Sequence, residues 1–118
     1  MIDKINQHRA SNNLPQLQIL PHLGYLSSKN NQEMINTGNT CNCYLNESAN
    51  SIKRLYNTQY VGQIALTNYI TVQSAMYAIL NDTISKNLIE RNYTDIGVSI
   101  LIHPTTGIKY YTILLIRR

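Results

Sequence analysis

The chain has 118 residues, a formal net charge of +4 and only 14% charged residues. That length suits one domain over residues 1–118, which can bury roughly 65% of its unfolded surface, enough for a core without help from metal or disulfides. No apolar run nears the ~20 residues needed to cross a bilayer, and Lys and Arg are scattered from Lys4 to Arg118, so neither a membrane span nor a nucleic-acid-binding stripe is predicted.

Asp3 is placed to cap a first helix running to about Ser11, and Asn12-Asn13-Leu14-Pro15 ends it. A second helix is predicted from Pro21 toward Met34, with Leu23, Leu26 and Met34 facing inward. Residues 36–50 are rich in Asn, Thr, Gly, Cys and Ser and read as a long irregular loop. This segment holds the only cysteines, Cys41 and Cys43, which read as two loop thiols without a catalytic role, since a bond between residues two apart closes a small ring.

A short helical piece at 51–56 leads into a strand over 60–66. Thr71 can cap a third helix whose Val72, Ala75, Met76, Ile79 and Leu80 form one core stripe. Asn81-Asp82-Thr83 breaks it, and Ile84, Leu88 and Ile89 mark a further short helix. Ile96, Val98, Ile100 and Ile102 then alternate along a strand and predict one buried face. After the turn at His103-Pro104-Thr105-Thr106-Gly107, the run from Ile108 to Ile116 is apolar on both faces, as a central strand with helices on either side requires. Helices followed by antiparallel strands give an α+β class.

Two segments carry a resemblance. Ile5-Asn6-Gln7-His8-Arg9-Ala10-Ser11-Asn12-Asn13-Leu14-Pro15-Gln16-Leu17 stands near the start, and Asn92-Tyr93-Thr94-Asp95-Ile96-Gly97-Val98-Ser99-Ile100 near the end. Together they resemble bacterial members of the CAP superfamily, the cysteine-rich secretory, antigen five and pathogenesis-related proteins. The resemblance implies an α-β-α sandwich around a mainly antiparallel sheet and an extracytoplasmic location. Met1-Ile2-Asp3 opens no signal peptide, so a leader, with or without a lipid anchor, is expected upstream.

The resemblance also implies a cleft in which two histidines and one or two glutamates bind a divalent ion. The segment Gly62-Gln63-Ile64-Ala65 is similar to the family's Gly-Glu-Asn-Ile-Ala, with Gln63 in place of the glutamate. Counting back from Asn87 and Tyr93 puts Ile84, or Ser85 after a slip of one, at one histidine. The other falls near Cys43-Tyr44-Leu45-Asn46. An amide has no charge and isoleucine no lone pair, so no metal, no other cofactor and no catalytic set is expected.

The remaining histidines, His8, His22 and His103, lie far apart in the chain, and there is no Gly-x-Ser-x-Gly elbow or phosphate loop. Arg54 and Tyr60 are expected to support the turn into the first long strand. The reading is a non-enzymatic CAP-domain protein, surface-attached or secreted, that binds a protein partner or a small apolar ligand. The alternatives are a hydrolase with an altered cleft and a purely structural envelope component.

Overall fold

A computed structural model describes residues 1–118. The elements run α1 (Ile2–Ser11), β1 (Gln18–Ile19), α2 (Pro21–Thr37), α3 (Cys43–Leu55), β2 (Val61–Thr67), α4 (Val72–Leu80), α5 (Thr83–Ile89), β3 (Asp95–Ile102) and β4 (Lys109–Ile116). They form one sheet in the order β1-β3-β4-β2, parallel only between β1 and β3.

The layers follow from strand alternation. On one face Ile64, Ile96, Ile113 and Leu115 pack with Ile5 of α1, Met76 and Ile79 of α4, and Ile89 of α5. On the other, Leu114 and Ile116 pack with Leu23 and Leu26 of α2 and Leu45 and Ile52 of α3. β4, hydrogen-bonded on both edges and covered on both faces, is buried from Tyr110 to Ile116, as its unbroken apolar run requires. The result is the α-β-α sandwich.

Helix ends follow local chemistry. Pro21 stands in the first turn of α2, where its missing N–H costs nothing, and Gly38 ends the helix at φ 75°. Thr71 and Ser74 form a reciprocal capping box at the start of α4. Gly97 lets α2 lie directly on β3: a Cβ there would stand 2.2 Å from the backbone carbon of Leu23.

Four expectations need correction. α1 starts two residues earlier, with Met1 at the cap position, so Asp3 lies in its first turn and makes no cap hydrogen bond. Residues 43–50, expected as loop, join the helical piece expected from 51 in one helix, α3, because Leu45 and Ile52, seven apart, seat one helical face on the sheet beneath an Asn- and Ser-rich exterior. The even face of β3 is buried only at Ile96; Val98 is half-buried, and Ile100 and Ile102 are 40% and 54% exposed, because no helix covers that end. Arg54 and Tyr60 have exposed side chains, with the Tyr60 ring beneath the Arg117 guanidinium, 4.9 Å from its centroid; what Tyr60 ties at the start of β2 it ties by its backbone, whose amide donates to Thr58 Oγ1 and whose carbonyl accepts from the Arg117 amide.

Candidate functional site

Gln63 lies on β2 opposite Leu114, on the face roofed by α2 and α3. The inward stripe of α2 is apolar at Leu23, Leu26 and Met34 but polar in its middle, at Ser27, Asn30 and Asn31, all fully buried. Buried amides must find partners. Asn30 Nδ2 donates to the Cys41 carbonyl (2.9 Å) and to Thr112 Oγ1 (3.2 Å), while its Oδ1 accepts from the Tyr44 amide (3.1 Å). Thr112 Oγ1 donates to Asn31 Oδ1 (2.6 Å), and Asn31 Nδ2 donates to the Ser99 carbonyl (2.9 Å).

This network ties α2, the start of α3 and strands β3 and β4 together without any charge. Cys41 and Cys43 are joined by a disulfide across Asn42, so they are not the free loop thiols expected from their spacing. Two buried side-chain oxygens lack partners, Asn42 Oδ1 and Gln63 Oε1. An amide layer therefore occupies the sheet face that holds Gln63.

Ile84 and Ser85 do not join Gln63. They belong to α5, which packs on the opposite face through Leu88 and Ile89. Ile84 is 73% exposed, and the Ser85 amide donates to the Asp82 carboxylate (3.0 Å), which hydrogen bonding from Ser85 holds below the usual carboxylate range. A groove between Gln63 and Ile84 is thus not formed, since strand alternation turns Gly62 and Ile64, not Gln63, toward the α5 side. Tyr93 fills that side: a Cβ at Gly62 would stand 2.6 Å from the Tyr93 hydroxyl.

The histidines are dispersed. His8 Nε2 lies 2.7 Å from Glu90 Oε2 and links α1 to the end of α5. His22 stacks near Tyr25, with centroids 6.2 Å apart. His103 Nδ1 accepts from the amides of Thr105 and Thr106. No three His, Cys, Asp or Glu side chains are grouped so that they could hold a metal ion.

Sequence reasoning missed Arg9, the neighbour of His8 in the N-terminal segment. Its side chain is fully buried and donates to the carbonyls of Pro15 (2.9 Å), Ile89 (2.9 Å), Arg91 (2.7 Å) and Tyr93 (3.4 Å). Burial lowers its pKa from the ordinary arginine value. It locks α1 to the turn between α5 and β3. A buried cation carries no sequence signature of its own, because its acceptors are backbone carbonyls.

Two surface grooves are each lined by a pair of tyrosines. One, of about 590 Å³, runs along α4 and is lined by Tyr69, Thr71, Gln73, Ser74, Tyr77 and Asn81 together with Ala78, with no charged group. The other, of about 280 Å³, lies among Tyr60, Arg91, Asn92, Tyr93 and Arg117 at the end of the sheet. Aromatic faces beside short hydroxyls and amides suit a weakly polar ligand. The tyrosines that line the first groove were unremarkable in the sequence, since Tyr69 and Tyr77 gain meaning only when the β2–α4 turn brings them together.

Comparison with known proteins agrees with this architecture. A cysteine-rich secretory protein from Staphylococcus aureus superposes with a TM-score of 0.78 at 16% identity, over 99% of this chain and 36% of that one. An outer surface protein of Borrelia burgdorferi gives 0.77 at 18% identity, over 99% and 89%. An extracellular protein containing an SCP domain from Bacillus anthracis gives 0.76 at 17%, over 99% and 39%. The chain thus spans little more than a third of the staphylococcal and bacillar proteins but most of the borrelial one. No curated protein matches the sequence. Residues 2–115 match the family of cysteine-rich secretory proteins, and the chain belongs to this CAP family.

Proposed function

We propose that residues 1–118 are a single CAP domain that works outside the cytoplasm as a non-enzymatic binding module, holding an uncharged, partly apolar ligand or the matching surface of a protein partner. The observation that carries this reading is the groove beside α4, where Tyr69 and Tyr77 stand with Thr71, Gln73, Ser74 and Asn81 and no carboxylate, imidazole, amine or guanidinium. Ring faces supply apolar contact at low entropic cost, and the hydroxyls and amides orient a ligand.

The amide layer around Asn30, Asn31 and Gln63 supports the same reading. It offers hydrogen bonds but no proton-transfer group of the kind hydrolysis uses. The extracytoplasmic setting rests on the relatives described as secretory, extracellular or outer surface proteins.

The test is a titration of the isotope-labelled domain with panels of neutral glycans, lipids and peptides, read by amide chemical shifts. A ligand of the proposed class shifts residues 69–81, and Tyr77→Ser weakens it at least tenfold without lowering the melting temperature. Absence of any such ligand, or turnover of substrates in a hydrolase panel, contradicts the proposal.

A further inference from the structure

Positive charge gathers where β2 begins and β4 ends. The groove lined by Tyr60, Arg91, Asn92, Tyr93 and Arg117 adjoins a second depression of about 290 Å³, lined by Asn57, Thr58, Gln59, Tyr60, Arg117 and Arg118. Tyr60 and Arg117 belong to both, so their cation–π stack borders the two depressions.

The carboxylates nearest along the chain are already engaged. Asp95 is buried and accepts from Arg118 Nε (2.8 Å), Arg118 Nη2 (3.0 Å) and Thr94 Oγ1 (2.7 Å), and Glu90 pairs with His8. Arg91 and Arg117 have exposed side chains and form no ion pair. Their backbones are fixed nonetheless. The Arg117 amide donates to the Tyr60 carbonyl (3.1 Å), and the Arg117 carbonyl accepts from Thr58 Oγ1. The Arg91 carbonyl accepts from the buried Arg9 guanidinium (2.7 Å) and from the Tyr93 amide (2.8 Å). Two guanidinia that line one groove with no carboxylate between them repel each other, and the concave wall focuses their positive potential.

We infer that this end of the molecule binds an acidic oligosaccharide, a chain of sugars that carry carboxylate or sulfate groups. A guanidinium holds either anion through two parallel hydrogen bonds. Arg91 and Arg117, with Arg118 beside them, spread over two joined depressions and so suit anions repeated along a chain better than one small ion. The Tyr60 ring gives the apolar face of a sugar a surface to pack on, and Asn57, Gln59 and Asn92 supply amides for its hydroxyls. A bilayer presents its anions in a plane and does not follow two depressions on either side of a ridge. The choice of sugar over nucleic acid as the polyanion rests on the extracytoplasmic setting proposed above. The site itself is separate from the α4 groove, which opens beyond the other end of β2 and carries no charge.

Calorimetric titration of the chain at ~150 mM salt, where attraction between distant exposed charges is screened, tests the inference. The probes are a heparin-derived hexasaccharide, a hyaluronan hexasaccharide, neutral cellohexaose, a thymidine hexanucleotide and phosphatidylglycerol vesicles. At least one acidic hexasaccharide binds saturably, and cellohexaose does not. Arg91→Ala and Arg117→Ala each weaken that binding roughly tenfold, the loss of one charge-assisted contact. Lys4→Ala, which removes the same charge from an exposed site on α1, changes it by less than about twofold. Tyr60→Ser alters no charge yet weakens binding roughly fivefold, because the ring that holds the Arg117 guanidinium is gone. Arg117→Lys keeps the charge without the planar stack and serves if Arg117→Ala folds poorly. Tyr77→Ser, in the α4 groove, leaves the affinity unchanged, which separates this site from that one. Failure of both acidic hexasaccharides to bind overturns the proposal. So does equal or tighter binding of the nucleotide or the vesicles, an equal loss in Lys4→Ala, or full binding by Tyr60→Ser.

Discussion

A guanidinium without access to solvent must find all its acceptors inside the protein, and Arg9 finds four carbonyls from three segments. Removing it leaves those carbonyls unpaired under α1, so Arg9→Ala is expected to lower unfolding free energy by about 3 kcal/mol or more, as measured by urea titration. Arg9→Lys keeps the charge but not the fork of donors, and should recover only part of the loss. A loss under about 1 kcal/mol for Arg9→Ala would mean that water reaches the carbonyls. Gly97 is a second residue whose role is steric. Because an added methyl meets the backbone of α2 and not a movable side chain, Gly97→Ala should destabilise by about 3 kcal/mol. The same change at Gly62 meets the far end of the Tyr93 ring and should cost less, a contrast that paired thermal melts would expose.

At the scale of elements, α2, α4 and β4 were legible because their signals are strong: a capping residue, a helical stripe, an unbroken apolar run. Only the last turn of α3 was legible, since Asn, Glu and Ser on the solvent side of its first part hid Leu45, which with Ile52 seats the helix. The even face of β3 shows the opposite failure. Its alternation is clear, but burial depends on how far α1 reaches, which periodicity cannot report. For the candidate site, the placing of Gln63 and Ile84 in one cleft was an expectation from resemblance that the fold does not assemble, and the amide layer was not legible, because Asn30 and Asn31 become core only through strand partners 68 or more residues away. The bridge between Cys41 and Cys43 joins positions two apart and removes little freedom from the unfolded chain. The double serine variant is therefore expected to melt within about 5 °C of the parent, roughly 1 kcal/mol for a chain of this size. A larger drop would show that the bridge, rather than the Asn30 hydrogen bonds to Cys41 and Tyr44, holds the start of α3.

At the scale of the whole molecule, the sandwich of the CAP family encloses an uncharged amide layer on one face of its sheet. One sheet face is welded to α2 by amides and a threonine, the other to α1, α4 and α5 by aliphatic packing and Arg9. The outer surface offers a groove beside α4 lined by Tyr69 and Tyr77 and by no charged side chain. The central proposal is that the interior layer around Gln63 assembles no metal-binding, catalytic centre. Calorimetric titration of the full chain with zinc at neutral pH tests it most directly. The account predicts no site tighter than roughly 10 μM, about −7 kcal/mol, and no change on Gln63→Ala. A stoichiometric site tighter than this that disappears in Gln63→Ala would contradict it.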